Sequence, residues 1–234
     1  MENGSGEAQA QPVPWSTRDV AFAGAFLVVW WVTIGALSLA FAWFDVAIDP
    51  GVFIGLAELA LLVPVWWLAL HKYRVGWNTL GLREFGSGAL GLGCGLMLFS
   101  FAFNFLYSAF LGIFGLQVQT DLAPLFSELS SPWWFLLAGV VVAPVVEEVF
   151  FRGFVFAGLR SRFEWKTAAA ISSALFALTH LQFTAFIPIF ILGYIFAILY
   201  RQSNSIVPAI LMHVLTNGLA LGTAYLTATI QLQI

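Results

Sequence analysis

Six polar residues stand in long apolar runs, and their types and spacing could do chemistry. Glu147, Glu148 and Arg152 share one run, His180 closes the next, and His213 and Asn217 share the last. An ionisable side chain at the centre of a membrane helix costs about 2.5–3.5 kcal/mol. Three of them unpaired would cost on the order of 8–10 kcal/mol, comparable to the whole net stability of many domains. Glu148 and Arg152 are i and i+4 on one helical face and can form an ion pair. Glu147 is rotated about 100° from Glu148 and has no partner on its own helix. The split suggests that Arg152 holds Glu148 for structure and leaves Glu147 for chemistry. His213 and Asn217 are also i and i+4, so they share a face.

A carboxylate and two imidazoles in a partly dry cleft can activate water. Glu147 would act as general base, with His180 sharing or orienting the proton. His213 and the Asn217 amide would then donate hydrogen bonds to a tetrahedral oxyanion. This mechanism needs no cofactor. The same residues admit a second one, because Glu147, His180 and His213 match the ligand set of a catalytic zinc with an open position for water. Buried charges of this kind also serve proton or ion paths in transporters, or act as staples in a non-proteolytic scaffold. No His-Glu-x-x-His, Gly-x-Ser-x-Gly or Gly-x-Gly-Asp stretch occurs, so the familiar zinc-helix, serine-elbow and aspartyl designs are absent.

The elements that must position these residues are membrane helices. The chain of 234 residues is 61% hydrophobic and only 9% charged, too few charges to cover a globule in water. About 20 apolar residues cross a bilayer core. Seven runs approach that length: Val20–Phe44, Pro50–Leu70, Gly88–Phe114, Pro132–Gly158, Thr167–His180, Phe183–Tyr200 and Ile206–Ala228. The fold class expected is therefore all-α, a polytopic bundle of about seven transmembrane helices. The short fifth run leaves six to eight open. With the N-terminus in the cytoplasm, Arg18, Lys72, Arg74, Arg83, Arg160, Arg162, Lys166 and Arg201 all fall on the cytoplasmic side, as the positive-inside rule requires. At a rise of 1.5 Å per residue, Glu147, His180 and His213 lie about 17, 20 and 11 Å from the cytoplasmic ends of their spans, close enough for one cleft.

Residues 1–19 read as a flexible polar tail and 20–234 as a single transmembrane domain. Pro144 lacks an N–H and can kink the fourth run just before the carboxylates. Glu58 and Asn104 each stand alone and read as interhelical polar contacts. The segment His71–Ser87 mixes apolar residues with bases, as an interfacial helix or a plain loop would. The single cysteine, Cys94, excludes a disulfide framework. No basic stripe suggests nucleic acid. The expected partners are membrane lipid and a membrane-associated polypeptide.

Three motifs in order give this constellation a family likeness. Glu147-Glu148-Val-Phe-Phe-Arg152 resembles the Glu-Glu-x-x-x-Arg motif of the CAAX protease and bacteriocin-processing family, also called the Abi family. Phe176-Ala-Leu-Thr-His180 is similar to its Phe-x-x-x-His motif, and His213-Val-Leu-Thr-Asn217 to its His-x-x-x-Asn motif. The likeness covers a core of about residues 130–220; outside it only Leu80-Gly81-Leu82 and the hydrophobic layout correspond. The resemblance implies an intramembrane endopeptidase opening toward the cytoplasm. It also implies that Glu147 and His180 activate water, that His213 and Asn217 bind the oxyanion, and that Glu148 and Arg152 support them. Family members cleave prenylated CAAX proteins or mature peptides and bacteriocins. The short loops fit a prokaryotic plasma-membrane protein.

Overall fold

The computed structural model describes residues 12–129 and 131–231, and all elements among them are helical. We number eight helices: α1 (Thr17–Trp43), α2 (Pro50–His71), α3 (Gly88–Gly112), α4 (Ala123–Glu128), α5 (Pro132–Leu159), α6 (Trp165–Thr179), α7 (Phe186–Ser203) and α8 (Val207–Gln231). Prolines open α2 and α5, where a missing N–H costs nothing. The Asp49 side chain caps α2 by accepting from the N–H groups of Gly51 and Val52.

Six of these helices are long and apolar enough to cross a membrane, the lower end of the six-to-eight range. The run expected as a fifth span falls short of that length. Helix α6 has fifteen residues, about 22 Å at 1.5 Å per residue against a core of about 30 Å. It forms a hairpin with α7. At the open end, the Arg201 guanidinium lies 4.3 Å from the Trp165 ring. At the turn, the Thr184 hydroxyl donates to the Val118 carbonyl, in the loop after α3.

Helix α5 is the centre of the bundle. Half of its membrane window is buried, against 11% for α1 and for α3. Large side chains such as Leu98, Phe105 and Trp43 point outward, fully in keeping with lipid as the solvent. The α5 backbone is not a regular α-helix. It widens into π-type turns over Ala138–Val142 and again over Glu148–Phe156, the kind of bulge that recurs at functional sites.

Two segments outside the spans clamp α5. Residues 1–11 of the expected tail lie outside the described residues, but Trp15 and Asp19, also assigned to that tail, are 1% exposed. Trp15 stacks on Phe154 and donates its indole N–H to the Phe154 carbonyl. Asp19 receives bonds from Lys72 and Tyr73. Likewise, His71–Ser87 is neither an interfacial helix nor a plain loop. It carries a short 3-10 turn, Trp77–Leu80, with Leu80 fully buried against Gly153. The turn ends on Gly81 at φ +93°, where a Cβ would stand 2.7 Å from the Tyr200 ring. Only glycine meets both demands.

Candidate functional site

The site begins with a charge that has nowhere to go. Arg152 and Glu148 both have 0% side-chain exposure, and Arg152 Nη1 donates to Glu148 Oε1 at 2.9 Å. The pairing expected from their spacing is therefore present. Arg152 Nη2 donates to the Gly193 carbonyl at 2.9 Å. The guanidinium lies 4.4 Å from the Phe176 ring and 5.3 Å from that of Phe196, so cation–π attraction replaces part of the lost hydration. Gly193 permits the approach, since a Cβ there would stand 2.8 Å from Arg152 Nη2.

Phe176 connects this pair to both imidazoles. Its ring meets His180 edge-on at 4.9 Å and His213 at 5.7 Å. His213 also stacks on Phe196 at 4.9 Å. The structure thus gathers α5, α6, α7 and α8 around one aromatic residue.

His213 bridges the two carboxylates. Its Nδ1 is 3.0 Å from Glu148 Oε1, and its Nε2 is 3.5 Å from Glu147 Oε2. A carboxylate already paired with Arg152 accepts, so Nδ1 donates and the tautomer is set. Nε2 then faces Glu147, and one proton suffices for that contact. Glu148, expected to be held by Arg152 alone, is held by His213 as well. Glu147, expected to work with His180, has His213 as its nearest basic partner.

His180 caps the end of α6. Its Nδ1 lies 2.9 Å from the Phe176 carbonyl; a carbonyl only accepts, so the Nδ1 proton is fixed there and Nε2 is left for other work.

Asn217 is explained by Pro144. In the wide turn the Ala143 N–H reaches back five residues to the Ala138 carbonyl. The next such bond would run from residue 144 to Gly139, but proline has no N–H. Asn217 Nδ2 donates to that carbonyl at 2.8 Å. An amide carries two such hydrogens, so one is still available.

One residue of the site escaped the sequence reading. Glu58 on α2 was expected to be an isolated interhelical contact, yet it lies within electrostatic reach of Glu147. Its Oε2 is buried without a hydrogen-bond partner among the described residues. Only the packing reveals it: Gly51 abuts Phe135 and Gly55 meets Ala138, which carries the α2 face down α5 toward Glu147.

The fit to a zinc ion can be judged from the donors. Among the described residues no three His, Cys, Asp or Glu side chains form a metal-ligand group. Both His213 nitrogens face carboxylates, so Glu147, His180 and His213 do not stand as a ligand set.

Comparison with known proteins agrees with the motif reading. Residues 129–219 match the family described as Type II CAAX prenyl endopeptidase Rce1-like, a segment that holds Glu147, Glu148, Arg152, His180, His213 and Asn217. The chain is 27% identical over 124 residues to the UPF0177 protein YxdF of Lactococcus lactis subsp. lactis (strain IL1403), covering 51% of this chain and 68% of the relative. It is 28% identical over 82 residues to the "Putative membrane peptidase YdiL" of Bacillus subtilis (strain 168), covering 35% of this chain and 34% of that protein. No solved structure matches. The resemblance to the CAAX protease family is thereby shown for α5 to α8.

Proposed function

We propose that this chain is an intramembrane endopeptidase that hydrolyses a peptide bond in a membrane-associated or lipid-anchored polypeptide, with its site open to the cytoplasm. At the coarse level, an intramembrane protease is supported by the matched family and by the name of the Bacillus relative. The observation that carries the finer reading is Glu147 paired with His213, in a network that Glu148 and Arg152 hold fully buried.

Glu147 is the general base that takes a proton from water. His180, its Nδ1 proton tied to Phe176, presents Nε2 to the same water and orients it. The hydroxide adds to the scissile carbonyl. The proton of the Glu147–His213 contact sits on His213 Nε2, which leaves Glu147 a carboxylate free to act as base. Asn217 donates its free amide hydrogen to the oxyanion, and His213 Nε2–H adds a second hydrogen bond. Glu147 then returns the proton to the leaving amine. The balance needs only water and the peptide.

No step needs a metal, since Glu147 and the two histidines supply proton transfer and oxyanion binding. The purified protein is expected to keep its activity through chelation and to contain no stoichiometric zinc by elemental analysis. One zinc per chain, with activity lost on chelation and recovered on adding zinc back, would overturn this part. The peptidase itself is tested by comparing membrane peptides from cells carrying wild-type or Glu147→Ala protein. Cleaved fragments are expected with wild type alone; identical profiles would count against hydrolysis.

A further inference from the structure

A polar cavity lies at the end of the bundle where the bases collect, away from the site described above. It holds about 160 Å³ and is lined by Arg83, Arg160, Ser161, Tyr200 and Asn204, with Pro12 and Val13 at its rim. Arg160 is the first residue after α5 and Asn204 the first after α7, so the cavity sits at the ends of two spans. Arg160 is half-buried and rests over the Phe156 ring at 5.7 Å. No carboxylate forms an ion pair with it among the described residues. Burial, and behind it the charge of Arg201, holds its guanidinium below the usual range. Arg83 and Arg160 both lie within electrostatic reach of the Tyr200 hydroxyl.

Arg160 brings its charge to this cavity with no carboxylate partner among the described residues, and an anion inside would offset that charge. Arginine forks match phosphate oxygens, and the Tyr200 and Ser161 hydroxyls can add single donors. A water takes up about 30 Å³, so the cavity suits a phosphate group with a few waters and excludes a whole lipid. Basic pockets between spans on the side where bases collect are where lipid head groups bind.

We propose that this cavity binds a phosphate-bearing anion, the head group of an acidic membrane lipid or free phosphate, with Arg160 as the principal contact. The inference is independent of the peptidase reading.

The full chain would be reconstituted in nanodiscs of phosphatidylcholine with an equal share of phosphatidylglycerol, and the lipids surviving detergent washing counted by mass spectrometry. Wild type is expected to retain phosphatidylglycerol about tenfold over phosphatidylcholine, a preference that Arg160→Gln loses. Arg74→Gln, which removes one exposed charge elsewhere, is expected to keep it. Should Arg160→Gln fail to fold, Tyr200→Phe removes one donor, keeps the ring and is expected to weaken the preference. Inorganic phosphate added to phosphatidylcholine discs separates the sources. A rise in the wild-type thermal midpoint that Arg160→Gln lacks, without lipid preference, would assign the site to the free ion. Equal retention by wild type and Arg160→Gln, equal loss in Arg74→Gln, or no anion held by wild type would each overturn the proposal.

Discussion

Arg152 carries its charge at zero exposure, and four groups answer it: Glu148, the Gly193 carbonyl and the rings of Phe176 and Phe196. Removing the arginine would leave Glu148 buried with only the His213 N–H as partner, so Arg152→Ala is expected to cost about 3–5 kcal/mol in an unfolding assay. Unchanged stability would mean that the pair is solvated. Glu147→Gln should behave differently, keeping the fold while losing turnover, because Glu147 holds no arginine. Glu58→Gln tests the residue that sequence reading set aside. It is expected to lower kcat/KM on a membrane-tethered peptide with the thermal midpoint unchanged; unaltered kinetics would return Glu58 to a helix contact. The Glu148–Arg152 pair was legible because i and i+4 fixes it within one helix. His213 between the two carboxylates was not, since that depends on how α8 packs on α5. Glu58 is a lone carboxylate, and one residue carries no phase relation to a site on another helix.

Helix α5 shows why spacing took the reading only part of the way. Assigning faces by 3.6 residues per turn assumes a regular helix, yet two stretches of α5 are wound more widely. Pro144 was expected to disturb the helix, and it does more: it frees the Gly139 carbonyl that seats Asn217. The proline was visible in the sequence, but its partner 73 residues on was not. Close packing between elements is equally hidden. Gly193 looks like any apolar-run glycine, but a Cβ would press on Arg152, Phe176 and Ser173. Gly193→Ala is expected to cost about 1–3 kcal/mol and to reduce turnover with it. Full stability and activity would show that α7 can shift aside. At the other clamp, Trp15→Ala is expected to cost about 3–5 kcal/mol, read as a lower thermal midpoint. A midpoint equal to wild type would mean that Trp15 does not hold α5.

At the scale of the whole molecule, hydrophobic run length made the membrane bundle plain, and of the expected spans only α6 is shorter than a full one. The motif spacing named the helices that carry the candidate site residues, while the docking of Trp15 and Leu80 against α5 had no periodic signature. The hairpin of α6 and α7 still reaches from the layer of Trp165 and Arg201 to that of Val118. Reporter fusions after Gln117, Ser161 and Ile234 are therefore expected to read outside, inside and outside. A cytoplasmic C-terminus would mean that α6 does not carry the chain across.

The account rests on Glu147 as the base of a peptide-hydrolysing site, and proteoliposomes test it most directly. The wild-type chain, reconstituted with a panel of membrane-anchored peptides in water enriched in oxygen-18, is expected to release a fragment carrying the heavy label in its new carboxyl group. Glu147→Gln and His180→Ala chains of unchanged thermal stability are expected to release none. Labelled cleavage that persists in Glu147→Gln would contradict the account, as would proton or ion flux dependent on Glu147 with no peptide bond broken.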